Sequence, residues 1–181
     1  MNQSLPQHDD LPRAFRNVFR GHPAGVTLIT ATVDGKPVGI TATSVSSLSL
    51  DPLAVSFSFM KSTGSAHALL RAESLLIHFL SDQHAHVAAS FATSGSDRFS
   101  PEQGWVTAIT GEPYLPGSRA VLRVRILDTA KSGDATLVAA EVTEVHNLKE
   151  ASALVYQGHR FYSIENARPL ASENPKPLRS D

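Results

Sequence analysis

Short apolar runs with a two-residue period alternate with polar turns along most of the chain, a pattern typical of a protein built mainly from β-strands. In residues 53–59, large apolar side chains at every second position alternate with alanine and serine, which predicts a strand with one buried face. Further β-rich runs lie at residues 26–33, 75–80, 121–127, 136–145, 154–156 and 161–164. Asp34-Gly35 is a strong type I′ hairpin signal. The pattern predicts an antiparallel barrel or sandwich.

Helical periodicity is confined to short segments. Asp10 is placed to cap a first helix with Pro12 in its first turn, and Gly21 with Pro23 ends it. The apolar residues of this helix share one face: Leu11, Phe15, Val18 and Phe19. Two more short helices are predicted, one over residues 66–71 and one from Ser81-Asp82 to Phe91-Ala92.

The pattern indicates one domain over residues 11–165. Residues 1–10 are polar and are expected to form a flexible N-terminus. Residues 166–181 are polar, contain three prolines and show no periodicity, which predicts a mobile tail or an arm that docks on a partner subunit.

Composition excludes several classes of function. The formal net charge of -1 offers nothing that recruits nucleic acid or an anionic membrane. No apolar run is long enough to cross a bilayer and no signal-peptide core is present, so we expect a cytoplasmic protein. The chain has no cysteine, which excludes disulfides, iron–sulfur clusters, thiolate metal sites and a cysteine nucleophile.

Two polar clusters stand out as candidate binding segments. Residues 39–52 place hydroxyl side chains among small residues, where hydroxyls can donate and accept hydrogen bonds and a ligand can approach the backbone. Residues 61–65 follow a strand and precede a helix, where Lys61 and unpaired N–H groups would suit a phosphate. Taken alone, each cluster is more typical of an exposed turn or helix-capping loop. Neither carries a Walker or Rossmann glycine pattern.

Three other groups of residues could have a function, but for each of them a purely structural role is more common. His78, His84 and His86 suggest a metal, but His84 and His86 diverge on the predicted helix, and the chain has no cysteine, so a metal site is disfavoured. A Ser-His-Asp hydrolase lacks the G-x-S-x-G elbow. Arg98 either meets an anionic ligand or pairs with Asp97 at the surface.

The order of these motifs resembles one family, the flavin reductase-like proteins with an FMN-binding split barrel. That family includes the reductase components of two-component flavin monooxygenases. The matching stretches run in family order over nearly the whole chain: residues 23–31, 34–44, 45–53, 62–63, 91–92, 97–99, Trp105, 133–134, 154–156, and Gly158 with Arg160 and Phe161.

The resemblance implies a mainly β, antiparallel split β-barrel with short peripheral helices, acting as a homodimer. It implies binding of FMN or FAD and hydride transfer from NADH or NADPH, with reduced flavin passed to a partner oxygenase. No side chain is required as a catalytic acid or base, since hydride transfer is cofactor chemistry. The implied flavin-contacting residues are Thr41, Ala42, Thr43, Ser44, Ser46, Ser47, Leu48, Lys61, Ser62, Thr63, Ser90, Phe91 and Ala92. Near the nicotinamide or the dimer rim, the resemblance implies Arg98, His159, Arg160 and Phe161.

One departure from the family pattern bears on activity. The family often has Gly-Asp-His where this chain has Gly133-Asp134-Ala135. The family histidine is placed near flavin and nicotinamide, and an alanine side chain cannot form hydrogen bonds there. A flavin-binding protein with little reductase activity is therefore an alternative. A related split barrel that binds haem or pyridoxal phosphate is a third possibility.

Overall fold

The computed structural model describes residues 10–61, 63–93 and 95–165. The strands are β1 (Ala24–Gly25), β2 (Thr27–Val33), β3 (Lys36–Ala42), β4 (Ser46–Leu50), β5 (Leu53–Phe59), β6 (Leu75–Phe79), β7 (Val106–Thr107), β8 (Pro113–Tyr114), β9 (Ala120–Ser132), β10 (Ala135–His146), β11 (Leu154–Gln157) and β12 (Arg160–Ser163). The helices are α1 (Leu11–Gly21), α2 (Ser65–Leu69) and α3 (Ala85–Ala92), with 3₁₀ turns at Asp82–His84 and Pro101–Gln103. The predicted N-terminal segment apart from Asp10, the tail at 166–181 and Ser62 lie outside the described residues.

Seven antiparallel strands form the main sheet, in the order β3-β2-β6-β9-β10-β5-β4. The two edge strands, β3 and β4, follow each other directly in the chain, so the sheet curls until its edges approach. The Ser58 N–H donates to Ser44 Oγ at 2.9 Å across this opening. The result is the predicted open antiparallel barrel. β1, β11 and β12 form a small separate sheet.

The hairpin between β2 and β3 confirms the Asp34-Gly35 prediction. Both turn residues have positive φ, 51° and 70°, as a type I′ turn requires. Pro37 lies on the edge strand β3, where its missing N–H removes no bond to an outer neighbour.

The β9–β10 hairpin is longer than its apolar pattern predicts. It runs from Ala120 to His146, while the pattern predicted strands over 121–127 and 136–145. Residues 127–134 are exposed and the ladder contains two register irregularities. Residues 128–132 of β9 bury no side chain, but backbone hydrogen bonds to β10 continue the ladder through them. A hydrophobic pattern in the sequence does not reveal such an extension.

Strand β2 is buried on both faces and so divides two cores. Ile29 and Ala31 face the barrel interior with Phe57, while Leu28 faces a second cluster beneath α3 that contains Phe91. Burial on both faces explains why apolar residues and threonines in 26–33 follow no strict two-residue alternation.

The hairpin formed by β7 and β8 is fixed to the barrel wall by buried polar groups. Thr30 Oγ1 donates to the Pro113 carbonyl at 2.8 Å. The Glu112 side chain is 3% exposed and accepts hydrogen bonds from Ser74, Thr110 and Arg123. Arg123 Nε also lies 3.3 Å from a carboxylate oxygen of Glu144. This network connects the β7–β8 hairpin to Ser74, which immediately precedes β6, and to Arg123 on β9.

Helix α1 forms as predicted but without the predicted cap. The Asp10 side chain makes no capping hydrogen bond to the backbone, and its carboxylate instead accepts from Arg13 Nη2 at 2.9 Å. Asp10 itself has helical backbone angles, which point its carboxylate away from the N–H groups that a cap would satisfy.

Gly39→Ala is expected to lower the free energy of unfolding by about 1–3 kcal/mol through overpacking. A Cβ at Gly39 would lie 2.6 Å from Phe91 Cε1 and 3.2 Å from Phe99 Cζ. The Phe91 ring packs against Phe99 and Trp105 and has little room to move. Urea unfolding checks this, with Gly25→Ala as the matched control, since nothing lies within 4 Å of a Cβ there. Equal stability of the two variants would contradict the account.

Candidate functional site

The site begins at the end of β3, where backbone geometry is held from both sides. Thr41 Oγ1 donates to the Ala88 carbonyl of α3 at 3.1 Å. Thr27 Oγ1 donates to the Ala42 carbonyl at 2.8 Å, and Ala42 is buried. Two of the predicted flavin-contacting residues are therefore fixed in place, and the Thr41 hydroxyl proton is already used within the protein.

After Ala42, the residues that are predicted to contact the flavin lie on the surface of the barrel. Thr43, Ser44, Ser46 and Ser47 are all exposed. On the neighbouring strand β5, Ser56 pairs with Ser46, and Ser58 bonds to Ser44. The edge of the barrel therefore presents hydroxyl groups from β4, β5 and the segment between β3 and β4. Ser56 and Ser58 were missed by the sequence analysis, although the two-residue period of residues 53–59 already placed them on the outer face.

Leu48 occupies an irregularity in the β4–β5 ladder. Ser47 pairs with Val55 and Ser49 pairs with Ala54, so Leu48 has no partner residue on β5. Such bulges redirect a side chain, and Leu48 is 53% exposed beside the hydroxyl-bearing edge.

Arg98 provides a cation at the other end of this edge. Its half-buried guanidinium donates from Nη1 to Ser65 Oγ at 3.2 Å and approaches the Gly39 carbonyl at 3.5 Å. Within residues 10–61, 63–93 and 95–165 it makes no ion pair with a carboxylate. The Asp97 carboxylate instead accepts from the Phe99 N–H, so the surface pairing of Arg98 with Asp97 is wrong.

Arg98 thereby lies beside the second polar cluster. Ser65 begins α2, directly after Lys61, Thr63 and Gly64, and both Lys61 and Thr63 are exposed. The structure brings together a hydroxyl and a guanidinium that are separated by 33 positions in the sequence. Two cations, Lys61 and Arg98, therefore border the same short loop.

The α3 residues predicted to close another wall have different roles. Ser90 Oγ donates to the Val87 carbonyl at 2.8 Å and accepts from Gln103 Nε2 at 3.0 Å. The Phe91 ring is buried, 5.0 Å from the Phe99 ring between centroids. Ala92 is exposed. Ser90 thus links α3 to the 3₁₀ turn at Gln103, Phe91 lies against Gly39 of β3, and Ala92 is the member of the trio that faces solvent.

His159, Arg160 and Phe161 lie on the turn between β11 and β12. His159 has φ 65°, and its Nδ1 is 3.5 Å from the Tyr156 hydroxyl. Phe161 packs against Tyr156, with ring centroids 5.3 Å apart. In the part of the chain that the structure describes, no hydrogen bond or ring contact joins this turn to residues 41–48.

Ala135 begins β10 opposite Ser132, at the exposed tip of the β9–β10 hairpin. His159 lies on a different turn, and no described contact connects it to Ala135.

The interior histidines are packing residues. His78 is completely buried, its Nδ1 lies 3.2 Å from the Leu28 carbonyl, and its ring meets Trp105 edge-on. Burial lowers the pKa of His78 to about 4. His84 Nδ1 lies 2.8 Å from Ser81 Oγ, and burial lowers its pKa also. Among the described residues, no group of three or more potential metal ligands comes together.

The curled sheet with its cation-bearing polar edge defines the protein as an antiparallel split barrel. The chain belongs to the flavin reductase-like family, whose model, the flavin reductase like domain, matches residues 19–165. It is 42% identical over 152 residues to a protein named NADH:FMN oxidoreductase from Rhodococcus qingshengii, covering 82% of this chain and 79% of that protein.

Solved structures give the same result for the fold. Nitrilotriacetate monooxygenase component B (homolog) from Mycobacterium thermoresistibile has a TM-score of 0.83 at 26% identity, covering 96% of this chain and 97% of the other. The Streptomyces globisporus NADH:FAD oxidoreductase SgcE6, solved with NAD and FAD fragments, has a TM-score of 0.77 at 26% identity, covering 95% and 99%. These likenesses confirm the predicted split barrel. No helix within the described ranges is long and apolar enough to span a membrane.

Proposed function

We propose that the protein is an NAD(P)H:flavin oxidoreductase that reduces FMN or FAD by hydride transfer. The observation that carries the proposal is the Arg98 guanidinium, which is half-buried and bonded to Ser65 and which has no carboxylate partner among the described residues. Taking a charge from water is costly unless it is compensated, and a bound anion would compensate Arg98. Family membership supports a flavin phosphate as the anion.

At the phosphate end, the proposal assigns Lys61, Thr63, Ser65 and Arg98. The resemblance implied that Arg98 lies near the nicotinamide or the dimer rim. We assign it to the flavin phosphate instead, because its hydrogen-bond partner Ser65 immediately follows the loop that contains Lys61 and Thr63. A planar guanidinium can donate two parallel hydrogen bonds to phosphate oxygens, and Lys61 adds a point charge. The chemistry of this group of donors fits a flavin phosphate.

At the ring end, the proposal assigns residues 41–44, 46 and 47, with Leu48 as an apolar contact. The Thr41, Ser44 and Ser46 hydroxyls are already bonded within the protein, so the backbone and the exposed hydroxyls of Thr43 and Ser47 remain for a ligand. A bound flavin would supply the hydride acceptor, and these residues would orient it and exclude water. No side chain has to move a proton in the hydride step.

The finer assignments follow the names of the relatives. We infer FMN as the flavin and NADH as the donor, since the Rhodococcus relative carries both in its name. A reductase subunit of a flavin-dependent monooxygenase, HsaB from Rhodococcus jostii, is 29% identical over 170 residues. We therefore propose that the reduced flavin serves a separate oxygenase and that the protein acts as a homodimer.

Purified protein with NADH and FMN is expected to oxidise NADH at a rate proportional to protein concentration and well above the rate with flavin alone. The assay is repeated with FAD and with NADPH, and each pair has its protein-free control. No protein-dependent oxidation with any of the four pairs would contradict the proposed function.

Ala135 motivates a second candidate, a flavin-binding protein without efficient reductase activity. Its position at the hairpin tip lacks the imidazole that the family often carries. This candidate predicts that flavin fluorescence reports binding while NADH oxidation stays at the background rate, and that Ala135→His raises the rate. Rapid turnover by the unmodified protein excludes it.

A further inference from the structure

The ladder between β4 and β5 ends one pair earlier than its register allows. Ser46 pairs with Ser56, so the next pair of the same kind would join residue 44 to Ser58. In an antiparallel ladder, a hydrogen-bonded pair exchanges two bonds between main-chain N–H and C=O groups. Strand β4 begins only at Ser46, and no such main-chain pair forms at residue 44. Because Ser58 is half-buried, its N–H and C=O need other partners.

The Ser44 hydroxyl takes the place of the missing main-chain pair. The Ser58 N–H donates to Ser44 Oγ at 2.9 Å, and Ser44 Oγ donates to the Ser58 carbonyl at 3.3 Å. A serine hydroxyl has a single proton, so Ser44 has none left to donate to a ligand. The main chain of residue 44 is at the same time displaced from the sheet edge by the length of a side chain.

Residues 43–45 keep their main-chain groups open as a result. Within residues 10–61, 63–93 and 95–165, no hydrogen bond involves the main-chain N–H or C=O of these three residues. Both ends of the segment are nevertheless anchored, because Ala42 is buried at the end of β3 and Val45 packs against the barrel core. Between these anchors, the two bonds of Ser44 hold the segment to β5.

Thr41 holds the other side of the segment in a comparable way. Its hydroxyl donates to the Ala88 carbonyl of α3 at 3.1 Å, while the Ser44 hydroxyl bonds to β5. Both hydroxyl protons are used within the protein, and the main chain between the two residues is fixed from two directions. A binding segment that is already ordered costs less conformational entropy when a ligand binds.

We propose that Ser44 is a positioning residue for the flavin ring, whose hydroxyl ends the β4–β5 ladder and keeps the main-chain groups of residues 43–45 open to the ring. The Ser44 side chain does not itself bond to the flavin. Free main-chain N–H and C=O groups suit a planar ring that carries both donors and acceptors at its polar edge. The inference rests on the proposed function, and it gives Ser44 a role different from the direct contact that the resemblance implies.

Ser44→Val and Ser44→Thr form a matched pair of variants, because the two new side chains have the same shape and differ in the hydroxyl. Ser44→Val is expected to raise the KM for FMN and the KM for riboflavin alike, by about 10-fold, the order expected for lost hydrogen bonds. The KM for NADH is expected to stay unchanged. Ser44→Thr is expected to keep all three values close to those of the unmodified protein. Ser44→Ala removes the hydroxyl without adding a branched side chain, and it is expected to match Ser44→Val.

Thr143→Val is the control for the loss of a hydroxyl elsewhere in the barrel. Thr143 Oγ1 donates to the Arg123 carbonyl at 3.3 Å, beside a register irregularity of the β9–β10 ladder. The variant therefore removes a bond of the same kind, outside the segments assigned to the flavin. It is expected to change none of the three KM values.

Amide hydrogen exchange distinguishes positioning from direct contact. In the flavin-free protein, the Ser58 amide is expected to exchange faster in Ser44→Val than in Ser44→Thr, because only a hydroxyl can accept its proton. In the unmodified protein, the Ser58 amide is expected to stay protected when FMN binds. Two-dimensional NMR of the isotope-labelled protein measures both.

An unchanged KM for FMN in Ser44→Val and Ser44→Ala would overturn this role of Ser44. So would a raised KM with unchanged exchange at Ser58, or a loss of Ser58 protection when FMN binds, since the hydroxyl would then act on the flavin directly. Failure of the proposed function gives a different result. The unmodified protein itself would then bind no flavin and oxidise no NADH above background, and the role of Ser44 would fall with it.

Discussion

Arg98→Gln is expected to raise the KM for FMN about 10- to 100-fold and to leave the KM for riboflavin nearly unchanged. A hydrogen bond to a charged group contributes about 1.5–3 kcal/mol, which corresponds to this range of affinity. FMN and riboflavin differ only in the phosphate, so the ratio of the two KM values isolates the contact with that group. The expectation follows from the proposed assignment of Arg98 to the phosphate end.

Two variants accompany this measurement. Arg71→Gln is the control, because Arg71 is an exposed arginine shortly after α2 that already lies 3.4 Å from the Asp34 carboxylate. It is expected to change neither KM. Arg98→Lys keeps the charge but not the planar pair of donors, and we expect it to recover part of the FMN affinity. An equal loss for FMN and riboflavin in Arg98→Gln would show that Arg98 serves the ring end or the fold instead.

Glu112→Gln is expected to lower the free energy of unfolding by about 3–5 kcal/mol, the usual cost of breaking a buried ion pair. The carboxylate is almost fully buried and accepts hydrogen bonds from Ser74, Thr110 and Arg123. The glutamine amide of this variant has one acceptor oxygen where the carboxylate has two. It also has no negative charge to pair with the Arg123 guanidinium. Urea unfolding measures the loss. Glu141→Gln removes an exposed pair with Arg125 and is the control, with an expected cost below about 1 kcal/mol.

The contribution of Glu112 also depends on pH. Burial opposes its ionisation, but hydrogen bonds from Ser74, Thr110 and Arg123 outweigh burial and lower the pKa to about 2, from an ordinary value of 4.5. The stabilisation is therefore complete above about pH 4.5 and is lost as the pH falls towards 2. The stability difference between the unmodified protein and Glu112→Gln should be constant from neutral pH to about pH 5 and shrink below it. A difference that stayed constant through pH 3 would contradict the lowered pKa.

Local signals in the sequence determined much of the fold. Asp34-Gly35 forms the predicted hairpin because only residues that tolerate positive φ fit a type I′ turn. Residues 53–59 form the predicted strand because one side of it is buried. The length of the β9–β10 hairpin and the exposure of α1 could not be predicted, since both depend on what lies outside a single element.

The candidate site could be predicted in pieces but not as an arrangement. Hydroxyl-rich segments are visible in the sequence, and the residues from Thr41 to Ser47 do lie along one edge of the barrel. The approach of Arg98 to Ser65 depends on the fold of the loop between α3 and β7, where no local pattern predicts a partner. The same holds for Glu112 and Arg123, which meet because the β7–β8 hairpin folds against β9.

The most direct test of the central claim is anaerobic mixing of the purified protein with NADH and FMN. The account predicts that the absorbance of oxidised FMN disappears together with that of NADH, one flavin reduced for each NADH oxidised, at a rate proportional to protein concentration. Reduction of FMN no faster than in the protein-free mixture would contradict it.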